Sequence, residues 1–217
     1  EQTKRNYIRG VGLVVILIAS VVITGMAGFW SIDPVYFAER FRDFLVVISI
    51  IYFIYLLFFA GLTANEKKNI LMLLLLFIGA AAFWSGFDQS AGSLTIFTRD
   101  YVNLTFGSFT APVSWTQFVN PLFVVMFAPF FAYLWVFLGK RNLDPNMPIK
   151  FGLGLILMAL GFIVMILAVK YALASSPVGV QWLLLTYLLH TFGELTLSPV
   201  GLSAFSKYSP KRYLGQM

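Results

Sequence analysis

The chain has 217 residues, of which 59% are hydrophobic, 18% aromatic and only 11% charged. Soluble domains carry about 25% charged residues, so this composition excludes an ordinary water-soluble domain and points to an integral membrane protein. There is no cysteine, which excludes disulfides and thiolate metal sites, and the net charge is +6.

Six long apolar segments run over about 7–29, 42–63, 67–87, 115–138, 150–174 and 180–203. Each is near the ~20 residues that a helix needs to cross the hydrocarbon core. Strand-type alternation is absent, and Leu, Ile, Val and Phe fill the segments throughout, so helices rather than barrel strands are predicted. The basic residues between them are distributed unevenly. Lys4, Arg5, Arg9, Lys67, Lys68, Lys140, Arg141, Lys150, Lys207, Lys211 and Arg212 fall on one side, and Arg40, Arg42, Arg99 and Lys170 on the other. The positive-inside rule then puts both ends of the chain in the cytoplasm. Topology accounts for the charge, and no nucleic-acid partner is required. The sequence opens without Met and stops just past a helix, which reads as a piece of something larger.

The first two segments hold no buried charge and read as a lipid-facing hairpin, joined by the aromatic, mixed-charge stretch Trp30-Ser-Ile-Asp-Pro-Val-Tyr-Phe-Ala-Glu-Arg40. The third ends in Phe83-Trp-Ser-Gly-Phe-Asp-Gln-Ser-Ala-Gly-Ser93. Trp84, Asp88 and Gln89 project from one end of that helix. The aromatic belt of the interface suits Trp84 as well as a binding site does, and Asp88 suits the water–lipid boundary. The 88–114 connection is expected to continue the helix and then turn near Gly107 and Pro112. The fourth segment carries Asn120-Pro-Leu-Phe, with Pro129 further in. Asn120 can hydrogen-bond a polar ligand or satisfy backbone freed near Pro121. The cytoplasmic Arg141-Asn-Leu-Asp-Pro-Asn-Met-Pro148 is a turn cluster. The fifth segment, with Gly152, Gly154 and Gly161, reads as helix packing.

The sixth segment holds the chemistry. Glu194 is the only acidic residue near the middle of any long apolar run, and a carboxylate there costs roughly 2.5–3.5 kcal/mol on insertion scales. His190, Glu194 and Ser198 are successive i, i+4 neighbours and are predicted to form one polar stripe, flanked by Tyr187 and Thr191. Pro199 is expected to kink this helix and Pro121 the fourth. Gly193, Thr196 and Ser198 fit equally the repair of a kink and the close approach of a second helix.

Three phrases together resemble the proton-coupled oligopeptide transporter family of the major facilitator superfamily. They are Phe83-Trp-Ser-Gly-Phe-Asp-Gln, Asn120-Pro-Leu-Phe with Ala128-Pro-Phe-Phe-Ala-Tyr-Leu-Trp135, and Gly193-Glu-Leu-Thr-Leu-Ser-Pro-Val-Gly-Leu202. Their order and spacing are similar to the family's seventh, eighth and tenth helices. The fold implied is an all-α polytopic membrane bundle. Residues 1–63 correspond to the hairpin that bacterial members insert between two six-helix bundles, and 64–217 to helices seven to ten of the second bundle. The N-terminal six-helix bundle, a necessary partner, is missing from this stretch.

The resemblance implies proton-coupled symport of di- and tripeptides across a bacterial inner membrane, with the proton as coupling ion and no cofactor or metal. It makes Glu194 the carboxylate that meets the peptide's amino terminus. Asn120 becomes an amide that bonds the amino end or backbone, Trp84 an aromatic shaping a side-chain pocket, and Ser198 a lining residue. Asp88, where many members carry Glu, takes the gating and proton-coupling position. His190 has no family role and stands as a cavity-facing candidate.

Other classes fare worse. A serine hydrolase built from His190 and Ser203 fails because the two are 13 residues apart on one helix, about 20 Å along its axis. An ion pore lacks charge rings. A related carrier for another small zwitterionic or anionic solute is the remaining alternative.

Overall fold

The computed structural model describes residues 33–175 and 177–215, with Gly12, Ala19, Ser20 and Thr24 besides. The segment expected over 7–29 lies outside the described residues. The chain divides into two compact units, Glu1–Tyr55 and Leu56–Met217.

In the first unit, helix α1 spans Pro34–Ile54. It starts eight residues before the expected 42–63 span. Asp33 caps it by accepting from the amides of Val35, at 2.9 Å, and Tyr36, at 3.4 Å, and Pro34 fills the first turn. An acidic N-cap followed by proline is a strong helix start, because proline's missing N–H is one that the first turn leaves unpaired anyway.

A π turn, Tyr55–Phe59, follows α1, and the chain leaves it through Gly61 at φ +60°. Thr63 and Glu66 form a capping box: the Glu66 amide donates to Thr63 Oγ1, and the Thr63 amide donates to Glu66 Oε2. Helix α2 runs from there over Ala64–Phe87 and passes into a 3-10 turn at Asp88–Ser90. A short helix α3 (Ser93–Tyr101) follows, then β1 (Val102–Asn103), β2 (Thr105–Phe106) and β3 (Phe109–Thr110). β2 and β3 form an antiparallel hairpin about Gly107, whose φ of +64° suits glycine. A 3-10 stretch, Val113–Phe118, leads into α4 (Val119–Lys140). Then come α5 (Met147–Ser175), β4 (Val178–Gly179), α6 (Gln181–Tyr208) and a closing 3-10 turn at Lys211–Tyr213. β4 pairs in parallel with β1, matching Val102 to Val178 and Asn103 to Gly179. The connection expected to be helix and turn thus contains strands as well.

Among the described residues, four stretches are long and apolar enough to cross a bilayer: Pro34–Phe59, Ala64–Tyr101, Val113–Lys140 and Met147–Ser175. Much of their apolar surface is exposed, as at Leu75, Val125 and Ile163. Water would not tolerate so much exposed hydrocarbon, whereas lipid matches it. α6 has the length, with 28 residues. Its polar residues at 190, 191, 194, 196 and 198 make it the less apolar helix.

α6 is the centre of its unit and packs against α5, α4 and α2. Its contact with α5 is glycine-lined. A Cβ on Gly154 would lie 2.8 Å from Leu197 Cβ and 2.9 Å from the Gly193 carbonyl, and one on Gly193 would lie 2.8 Å from the Gly154 carbonyl. Close approach of this kind drives helix association where no water is squeezed out. Gly152 has nothing within 4 Å, so it takes no part. Further along, Leu94, Met165, Ala168, Leu183 and Tyr187 form a buried cluster joining α3, α5 and α6.

Candidate functional site: a carboxylate held by an amide on the central helix

Three aromatic rings set the spacing of α4 and α6. Phe192 of α6 meets Phe127 edge-on at 5.0 Å and Phe131 at 5.2 Å. Edge-to-face pairs fix both distance and orientation. α4 is thereby held so that Asn120, in its first turn, reaches the middle of α6. Asn120 Nδ2 donates to Glu194 Oε2 at 3.1 Å and to Thr191 Oγ1 at 3.0 Å. The Thr191 hydroxyl in turn donates to the Tyr187 carbonyl at 2.7 Å.

Glu194 is half-buried, and among the described residues no Lys or Arg forms an ion pair with it. The donor to its carboxylate is the neutral amide of Asn120. A carboxylate partly removed from water, bonded by one amide, retains acceptor capacity for a cation.

Trp84 and Ser198 come together elsewhere. They line a cleft of about 400 Å³ with Leu76, Ala80, Phe151 and Leu197. The indole is 40% exposed and stands edge-on to Phe83 and Phe87, at 5.6 and 5.2 Å. Asn120 and Glu194 do not line this cleft.

Asp88 stands apart at the end of α2. It is exposed, and its own backbone N–H, not its carboxylate, makes the cap bonds to Trp84 and Gly86. Among the described residues its carboxylate has no ion pair. Nearby, Gln117 Nε2 donates to Thr95 Oγ1 at 2.7 Å and to the Ser90 carbonyl at 3.1 Å, tying the start of α4 to the corner beyond Asp88.

The predicted single polar stripe is corrected. His190 does not share the Asn120 side with Glu194; it is buried against α5, with its ring 5.0 Å from Phe162 and Nε2 without a hydrogen-bond partner. Gly161 provides its space. Pro199 lies inside α6, as expected. Pro121, expected as a kink, lies where the 3-10 stretch Val113–Phe118 passes into α4. The proline in the interior of α4 is Pro129. Thr191, read only as a flanking residue, is part of the site. Its spacing of one turn from Tyr187 and three residues from Glu194 was the available signal. Among the described residues there is no group of three His, Asp or Glu side chains able to hold a metal ion.

Residues 13–217 match the family described as PTR2, the POT family. "Peptide transporter YePEPT" of Yersinia enterocolitica subsp. palearctica serotype O:3 (strain YE-P4) is 36% identical over 218 aligned positions, covering 98% of this chain and 43% of the relative. The "Di-/tripeptide transporter" of Lactococcus lactis subsp. cremoris is 32% identical, covering 100% of this chain and 44% of the relative. The crystal structure of peptide transporter POT in complex with sulfate superposes with a TM-score of 0.77 at 33% identity, covering 100% of this chain and 43% of that one. The chain therefore spans less than half the length of the relatives it matches. With its helical architecture, its apolar spans and these matches taken together, the chain belongs to the POT family of membrane transporters.

Proposed function

We propose that this chain forms the second-bundle half of a proton-coupled symporter for di- and tripeptides in a bacterial inner membrane. Residues 64–217 act as helices seven to ten of that bundle, and residues 1–63 as the inserted hairpin. Both ends face the cytoplasm. A short peptide is a zwitterion, so a carrier cavity needs an acidic pole for its amine and a basic pole for its carboxylate. This chain supplies the acidic pole, and the N-terminal six-helix bundle supplies the basic one. Alternating access is the rocking of one bundle against the other around such a site.

One observation carries the reading: the half-buried Glu194 carboxylate is bonded by the neutral amide of Asn120, with no cation paired to it among the described residues. An ammonium entering beside it gains a strong attraction in a medium less polarisable than water. Trp84 and Ser198 shape a neighbouring wall for side chains. Asp88 serves the outer gate: ionised, it holds a basic partner on the first bundle, and protonated, it releases that partner. No metal or organic cofactor takes part; the coupling ion is H+.

The test is uptake of labelled dialanine into proteoliposomes holding the full-length protein, with and without an inward acid gradient, for wild type and Glu194→Gln. Gradient-dependent accumulation that a protonophore collapses, and that the Gln variant loses, supports the proposal. Normal dialanine uptake by the Gln variant overturns the role of Glu194. Absence of uptake by a folded wild type overturns the choice of cargo.

A further inference from the structure

Three threonines of α6 donate back to the carbonyl four residues earlier: Thr186 to Trp182, Thr191 to Tyr187 and Thr196 to Phe192. Such back-bonding is common in membrane helices and says nothing of function by itself. Thr191 differs from the other two. Of the three, it is the one whose oxygen also accepts from a side chain of another helix, the Asn120 amide at 3.0 Å.

A hydroxyl carries one proton and two lone pairs. The Tyr187 carbonyl can only accept, so the Thr191 proton points there, and only lone pairs face α4. Whatever meets them must donate. The amide of Asn120 is thus turned with its NH2 group toward Thr191 and Glu194, and its Oδ1 takes no part in either bond. Amide oxygen and nitrogen are nearly equal in size, so shape alone does not choose between the two orientations. Glu194 enforces the same choice while it is ionised, but a protonated carboxyl can donate as well as accept. Thr191 enforces it whatever the charge on Glu194, and its fully buried position keeps water from substituting for it.

We propose that Thr191 is a positioning residue for ammonium recognition: it locks the Asn120 amide so that Oδ1 is presented as an acceptor beside the Glu194 carboxylate. This rests on the reading of Glu194 and Asn120 as the amine pole. A ligand ammonium has donors only. With the amide locked it meets two acceptors, a charged one and a neutral one. With the amide reversed it meets the carboxylate and two opposing N–H groups. The selectivity of the pole for an amine over a hydroxyl of similar size therefore depends on a residue that never touches the ligand.

The experiment uses the full-length protein in proteoliposomes and compares Thr191→Val, Thr191→Ser, Thr196→Val and Glu194→Gln. Valine keeps the shape of threonine without its oxygen, and serine keeps the oxygen. Initial rates are measured for dialanine and, by competition, for its analogue with a hydroxyl in place of the amine. Loss of one hydrogen bond of ordinary strength corresponds to roughly a 2- to 12-fold change in affinity. Thr191→Val is expected to raise the dialanine KM by that factor, with little change in maximum rate, and to lower the preference for amine over hydroxyl by the same factor. Thr191→Ser and Thr196→Val are expected to keep wild-type values. A Thr191→Val protein with wild-type KM and preference overturns the proposal. So does a serine variant shifted as far as the valine one, which would mean that packing and not the oxygen matters. If the valine variant is not recovered folded, the serine variant decides alone: a wild-type KM supports the proposal and a raised KM overturns it. Normal dialanine uptake by Glu194→Gln overturns the underlying function instead, whereas loss of uptake there with an unaffected Thr191→Val removes only the role of Thr191.

Discussion

Gly161 of α5 and His190 of α6 share one volume: the imidazole edge occupies the space that any side chain at 161 would need. The ring is buried, its Nε2 is unpartnered, and Phe162 covers it. Gly161→Ala is expected to lower stability by about 1–3 kcal/mol, the usual cost of overfilling a packed site. Thermal unfolding of the full-length protein measures this. Gly161→Ala combined with His190→Ala should lose less than the sum of the two single changes, because the overlap is gone.

The same helix pair gives a sharper contrast closer to Glu194. A Cβ on Gly154 or Gly193 would press within 3 Å of the facing carbonyl, which is backbone and cannot swing aside. Alanine at either position is expected to push α5 and α6 apart and cost about 1–3 kcal/mol. Gly152→Ala meets nothing and should be neutral or gain up to about 1 kcal/mol from helix propensity. Equal losses at 152 and 154 in a thermal melt would remove the packing explanation.

Asp88→Asn tests the proposed gate without touching the fold, because the cap bonds at the end of α2 come from backbone N–H. The variant is expected to bind dialanine and exchange it across the membrane with no gradient. It should fail to accumulate the peptide against a gradient. Intact proton-driven accumulation would remove Asp88 from coupling.

Arg212 Nη2 lies 2.7 Å from the Ala60 carbonyl and 3.2 Å from that of Gly61, fastening the chain before α2 to the segment after α6. Arg212→Leu leaves the buried Ala60 carbonyl without this donor and should cost about 1 kcal/mol. Limited proteolysis reads it out as faster cleavage around residues 60–63, at an unchanged rate within α5.

The helices were largely legible in the sequence, because long apolar runs have few alternatives in a membrane. α1 begins earlier than hydropathy suggested because Asp33-Pro34 is a cap signal that does not depend on apolar content. Glu194 and Asn120 were legible as separate residues from their cost in hydrocarbon. That they bond each other was not, since the pairing depends on where Phe127 and Phe131 seat against Phe192. The polar stripe failed for a geometric reason. Four residues overshoot one helical turn by about 40°, so His190 and Ser198 differ by roughly 80° around α6. In a helix packed on several sides, that rotation is enough to carry one residue toward α5 and another toward the Trp84 cleft. Short strands within 88–114 escaped notice because two-residue pairings leave no periodicity to detect.

The pairing of β1 with β4 is made of main chain alone, two residues on each side. It stitches the segment following α3 to the one following α5, so the two ends are tied to each other as one rim of their unit. The bonds of the stitch run between main-chain groups, but its surroundings read side chains: Val178 is buried, and a side chain at 179 would meet that of Gln181. Proline at a position whose N–H bridges the two strands removes that donor and is expected to unpick the stitch.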